Sequence, residues 1–328
     1  MLKFDISLLS TNQLLETRIK DLRLELPIKY QEQIKKIYNL LERKNILWRP
    51  HLWASEEWFS PDGIDGIAYP FTLCHPKLIQ LEKMYLGECE GNTDSAFFKL
   101  LAHETGHAID NAFRLRLKKQ RQKIFGLSSK SYPKSYRPKT NSQNHVQFLN
   151  DFYAQAHPDE DWAETFAVWL TTDNWKSKYK ETKAIKKLEY MNEVMMSLRL
   201  ISNYKVSRKS YRNSKNDTRT VRQYLEEKQK SLRLNRPNFY ATKLQTHLFS
   251  RQGISVSHFI TKQQKELVSN SKKDKWITQR CLKELKQECK KKNYKIKYDQ
   301  QKSQQFILRL IEDNYDDFIK QGRTRVYM

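Results

Sequence analysis

Five residues, His103-Glu104-Thr105-Gly106-His107, limit what this chain can be more than any other stretch. Histidines four apart lie on one face of an α-helix, so both imidazoles can reach a single ion. Glu104 turns away from that line but stays close enough to act on a water held beside the ion. Two ring nitrogens, one further carboxylate and one open position form the set with which zinc produces a nucleophile near neutral pH. Two satisfied core histidines are the plainer alternative.

The flanking sequence favours the metal. Residues 95–102 are apolar at helical spacing, and Gly91-Asn-Thr-Asp94 before them offers N-cap residues. A helix of that kind is buried, and a buried histidine pair without a partner is costly. Gly106 leaves room for a neighbouring backbone to come close.

The missing carboxylate is expected from Tyr153 to Leu170. Pro158 starts a helix there, and Asp159, Glu160 and Asp161 crowd its first turn, where the helix dipole favours acids. Glu160 and Glu164 are four apart and share a face with apolar neighbours, so each wants a cation or a donor. Glu160 as third zinc ligand, with Glu164 orienting a ligand histidine through its other nitrogen, gives both a purpose. The opposite assignment, Glu164 on the metal, stays open. Asp110 lies on the histidine side of its helix and is a candidate acceptor behind the ligands. The pattern resembles the gluzincin scheme, H-E-x-x-H followed by a distant E-x-x-x-E/D.

Around these two helices the periodicities predict an α+β, mainly helical fold. Residues 11–44 read as two helices reset at Pro27, and residues 46–54 and 66–73 as strands about the turn Pro61-Asp-Gly63. Pro50 and Pro70 suit strand ends or edges, and an edge strand there would let a peptide add by main-chain hydrogen bonds. Pro76 marks a helix start. Residues 114–139 hold ten Lys or Arg and no acid, and are expected to form a basic loop over the site. A packed helix follows within 171–203, and 204–237 is linker-like in composition. Helical patterns return at 255–270, 274–292 and 301–314, with strand character at 324–328. The expected division is a zincin-like domain over 1–203 with its basic loop within 114–150, a linker over 204–237, and a helical region over 238–328.

Composition narrows the setting. The formal net charge of +24 fits polyanion contact, although a lysine-rich solvated surface gives the same number. Nucleic acid is therefore the alternative partner. The lysines of 290–292 lack stacking aromatics in register, which favours a solvated face. The cysteines Cys74, Cys89, Cys281 and Cys289 form no C-x-x-C pair. No apolar run is long enough to span a membrane, and the first residues lack the layout of a secretory signal, so a cytoplasmic location is expected.

Several segments together resemble a bacterial family of zinc-binding metallopeptidases: His103–Ile109, Tyr153–Gln155, His157–Leu170, Gly66–Phe71, His75–Leu78, Lys187–Tyr190 and Gln321–Arg323. Members are often encoded beside ATP-grasp carboxylate–amine ligases, which implies a functional link and a peptide-like substrate. Residues and resemblance together predict hydrolysis of a peptide or amide bond, with His103, His107 and Glu160 on zinc and Glu104 as base. His157, Tyr153, Tyr132 and Tyr136 are candidate donors to the oxyanion or the substrate. Two other readings stand beside it. One is a basic nucleic-acid-associated protein with a structural zinc or a DNA-linked protease activity. The other is an idle zinc scaffold that recruits a partner, its metal shell closed by four protein ligands, for which the nearby acids and His75 or His157 are available.

Overall fold

The computed structural model describes residues 3–199, 207–231, 237–244, 252–297 and 299–327. These residues form a mainly helical α+β protein with only short strands. The chain divides into two compact units: Met1–Pro133 with Ser142–Leu234, and Lys134–Asn141 with Asn235–Met328.

The first unit begins with α1 (Thr11–Glu16), closed at its start by a reciprocal Ser10–Gln13 capping box. This helix is shorter than its apolar spacing predicts. Beyond it, Ile19 N–H donates to Arg219 O, and Val221 N–H donates to Thr17 O. Tertiary pairing thus takes the backbone groups that a longer helix would have used. After Pro27, α2 (Ile28–Arg43) buries Tyr30, Ile37 and Leu41 on one stripe.

Next come β1 (His51–Ser55) and β2 (Gly66–Pro70), which pair in parallel. Pro50 and Pro70 lie just before and at the end of these strands. A parallel pair normally needs a longer crossover than residues 56–65 provide. The chain manages it by passing to the far side of β2, where Phe59 bridges Ala68 in antiparallel sense. It then turns back through Gly63 at φ +73°. Every residue of β2 is buried, and its outer side is already paired at Ala68, so β2 covers the motif helix and offers no open edge there.

The helices α3 (Pro76–Leu86) and α4 (Asp94–Ala112) follow, then α5 (Lys119–Phe125), α6 (Pro158–Thr171), α7 (Trp175–Tyr179) and α8 (Ile185–Ser197). Part of the expected basic loop is therefore α5. Two helices, α3 and α6, start the same way: His75 and His157 accept from the N–H two residues on, with proline at the next position. Packing around α4 and α6 buries Phe97, Leu101, Ile109, Trp162, Phe166 and Leu170 in one core.

Within the stretch of linker-like composition, residues 207–231 are described, and they include α9 (Val221–Ser231). Val221, Tyr224 and Leu225 pack with Leu14, Ile19, Phe71 and Leu81. The second unit contains β3 (Ser135–Tyr136), β4 (Ile254–Ser255), α10 (Val256–Asn270), α11 (Lys275–Lys291), β5 (Lys295–Ile296), α12 (Gln300–Asp313), α13 (Tyr315–Lys320) and β6 (Val326–Tyr327). Its core is Tyr240, Val256, Leu267, Cys281, Leu285, Ile307 and Phe318. The antiparallel pairs β3–β6 and β4–β5 complete it.

Candidate metal centre

Helix α4 is held at its start by Thr93, whose hydroxyl accepts from Ala96 N–H. It carries His103 and His107 to a point where α6 crosses. At that crossing Gly106 has no space for a side chain, because a Cβ there would stand 2.9 Å from Ala163 Cα. The indole N–H of Trp162 donates to Gly106 O at 2.9 Å and fixes the contact. The close approach expected of Gly106 is what allows Glu160 to face the histidines.

Three ligand-type atoms meet there. Nε2 of His103 lies 3.0 Å from Oε2 of Glu160 and 3.2 Å from Nε2 of His107, and His107 Nε2 lies 3.3 Å from the same Glu160 oxygen. Ligands about 2.0–2.1 Å from a tetrahedral zinc are separated by roughly 3.3–3.4 Å, so this triangle has the size of one face of such a site. Among the described residues, His103, His107 and Glu160 are the group able to hold a metal ion.

Behind the triangle, His103 Nδ1 lies 3.0 Å from Oε1 of Glu164. An ionised carboxylate only accepts, so Nδ1 carries the proton and donates, leaving the Nε2 lone pair turned towards Glu160 and His107. Backbone N–H groups of Phe148 and Leu149 also donate to Glu164. Glu164 is fully buried. The electrostatics point the same way as the distances. Burial opposes charge on His103, yet hydrogen bonds and Coulomb attraction from Glu160 and Glu164 hold it well above the ordinary histidine value. Burial likewise opposes charge on His107, and Glu160 outweighs it, so His107 is raised too. Burial would push Glu160 up, but His107 and His103 bring it well below the usual carboxylate range. The cluster wants added positive charge, which a metal supplies by displacing protons.

Glu104 is buried beside the pair, and its Oε2 has no hydrogen-bond partner among the described residues. Burial raises its pKa against the pull of His107 and His103. A buried carboxylate oxygen without a partner is uncommon in a folded protein and calls for a role.

The other predicted residues are placed as follows. The hydroxyl of Tyr132 donates to Glu160 Oε1 at 2.8 Å, and its ring stacks on His157 at 3.8 Å between centroids. The Tyr153 ring is 5.6 Å from that of His103, just after Asp151 and Phe152, both in left-handed backbone conformation. His157 uses Nδ1 as the cap of α6 and Nε2 to donate to Lys130 O at 2.6 Å. His75 caps α3. Tyr136 belongs to the second unit, in β3. Asp110 faces Arg121, which donates to it at 2.9 Å, and Arg116 at 3.6 Å.

Sequence reading passed over Arg121. It is fully buried, stacks on Trp162, and also donates to Asp159 at 2.7 Å. One guanidinium thereby ties the end of α4 to the start of α6. Ser128, donating to Asp159 at 2.6 Å, completes that brace. Nothing in a run of ten cations marks which one is buried.

The buried His103, the half-buried His107 and the facing Glu160 thus form, in a mainly helical protein, a group that could hold a metal ion. Residues 97–250 match the model of the family described as "Putative zinc-binding metallo-peptidase". No curated protein and no solved structure matches the chain. No helix among the described residues is long and apolar enough to cross a membrane.

Proposed function

We propose that the chain is a zinc-dependent peptidase, hydrolysing peptide or related amide bonds. His103, His107 and Glu160 hold the ion, and Glu104 is the base. The observation that supports this most is the triangle of 3.0, 3.2 and 3.3 Å among the three ligand atoms, with Glu104 Oε2 unpartnered beside it. Bound zinc supplies a Lewis acid that polarises a substrate carbonyl and makes water acidic near neutral pH.

The chain's own groups do the rest. Glu104 accepts the proton of the attacking water on Oε2 and passes it to the leaving amine nitrogen, for which a raised carboxyl pKa is suited. Glu164, anchored by two backbone N–H groups, holds the His103 ring in one tautomer. His157 has both nitrogens engaged and the Tyr132 hydroxyl is given to Glu160, so we assign the developing oxyanion to Tyr153, whose ring lies 5.6 Å from that of His103. The link to ATP-grasp ligases that the resemblance implies fits a substrate with a peptide-like bond.

The test is Glu104→Gln against wild type, with zinc read by elemental analysis and cleavage of a mixed peptide library read by mass spectrometry. One zinc per chain is expected in both, with cleavage slowed by about 10²–10⁴-fold in the variant. Full turnover by Glu104→Gln, or a wild-type chain that takes up no zinc, overturns the reading.

A further inference from the structure

The second unit has a cavity of its own, about 550 Å³ in volume, bounded by the β3–β6 pair and the end of α13. Its polar lining is Ser135, Tyr136, Arg137, Lys320, Thr324 and Arg325, with no carboxylate residue. We propose that this cavity binds a phosphate-type oxyanion, gripped by Arg137, Arg325 and Lys320.

Three observations carry the proposal. The first is register. In the antiparallel β3–β6 pair, Ser135 faces Tyr327 and Tyr136 faces Val326. Arg137 follows Tyr136 and Arg325 precedes Val326, so both arginines flank the same end of the pair, and both line the cavity. Like charges gathered at one end of a strand pair repel, and an anion between them reverses the sign of that interaction.

The second is the use of acids elsewhere in the unit. Arg323, two residues from Arg325, is paired with Glu284 at 3.1 Å, and Lys243 with Asp317 at 2.8 Å. Arg137, Lys320 and Arg325 have no carboxylate within ion-pair distance among the described residues. The third is the surplus itself. In the second unit Lys and Arg outnumber Asp and Glu by more than two to one, so the surrounding field draws anions in.

The chemistry of the grip selects the ligand. Two guanidinium forks and one ammonium match the several oxygens of a phosphate, and three cations favour a dianion over a single carboxylate. The buried Thr324 and the half-buried Ser135 add hydroxyl donors at the wall. A phosphate group of this kind comes either from a small molecule or from a nucleic-acid strand.

Full-length protein is titrated at low salt with inorganic phosphate and pyrophosphate by calorimetry, and with a single-stranded oligonucleotide by fluorescence anisotropy. Arg137→Gln and Arg325→Gln are compared with a triple change at the exposed Lys290, Lys291 and Lys292, each to Gln. Binding is expected to weaken by at least about tenfold in each arginine variant and little in the triple variant. That pattern with phosphate or pyrophosphate identifies a small-molecule source, and with the oligonucleotide alone a nucleic-acid source. No binding by the wild type overturns the proposal, as does equal weakening in the triple variant, which marks diffuse attraction. Both arginines are exposed, and circular dichroism checks that the variants fold. Arg137→Lys, which keeps the charge and loses the fork, is expected to fall between wild type and Arg137→Gln.

Discussion

Nδ1 of His103 donates to Oε1 of Glu164 at 3.0 Å, while Nε2 of the same ring lies 3.0 Å from Glu160. The two glutamates of α6 thus hold opposite nitrogens of one imidazole. Their removal should have different consequences. Glu160→Ala takes away a ligand atom, and zinc is expected to be lost on desalting. Glu164→Gln leaves all three ligand atoms but loosens the ring, with zinc retained at about 10–100-fold weaker affinity. Competition with a chromophoric chelator measures both. Equal loss in the two variants would mean that Glu164 binds the metal as well.

Much of this centre is legible in the sequence, because its parts obey local rules. The spacing of His103 and His107 follows from the helical period, Pro158 and its acids mark a helix start, and Gly106 stands where Ala163 needs to approach. What the sequence hides is long-range pairing. The backbone amides of Phe148 and Leu149 that hold Glu164 carry no side-chain signature. Arg121 looks like any other cation of its run until α6 closes over it. The early end of α1 has the same origin, since residues 217–221, about 200 positions away, take its backbone bonds.

Arg121 is the brace between the ligand helices, donating to Asp110 and Asp159 from a fully buried position. Arg121→Met leaves both acids facing the gap, and breaking a buried pair in this way costs about 3–5 kcal/mol. Urea unfolding should show that loss as a lower midpoint. Arg121→Lys keeps the charge without the fork and is expected to lose less. A change below about 0.5 kcal/mol in Arg121→Met, the usual range for surface substitutions, would show that Arg121 carries no such brace.

Acid should weaken the first unit through His145. Burial and the neighbouring Lys187 push its pKa down to about 4. Asp161 lies 3.9 Å away, but Lys187 already takes the same oxygen at 2.5 Å, which cancels its attraction. A folded-state pKa below the unfolded value of about 6.5 means that the unfolded chain binds the proton first. His145 therefore costs stability as pH falls from about 6.5 towards 4, and leaves it unchanged above that window. Asp161, raised by burial to about 7 against Lys187, acts in the opposite direction, so the net slope of the wild type is not the measurement. The difference between wild type and His145→Gln is. It should grow in favour of the variant as pH falls, and a flat difference between pH 6.5 and 4 would remove His145 from the account.

Tyr132 gives the sharpest separation between holding the metal and acting on substrate. Its hydroxyl bonds Oε1 of Glu160, leaving Oε2 to face the two histidines. That bond selects which oxygen is presented, and stacking on His157 fixes the ring that makes it. Tyr132→Phe keeps the stack and deletes the donor, so the expected effect is on zinc: affinity weaker by about tenfold or more, as for other groups that orient a ligand. At saturating zinc, cleavage should then return most of the way to wild type. The opposite result, unchanged zinc affinity with kcat lowered by about 10²–10³, would place the hydroxyl on the reacting carbonyl instead of on Glu160. Both quantities come from one titration of activity against buffered free zinc, in which an affinity defect shifts the midpoint and a chemical defect lowers the plateau.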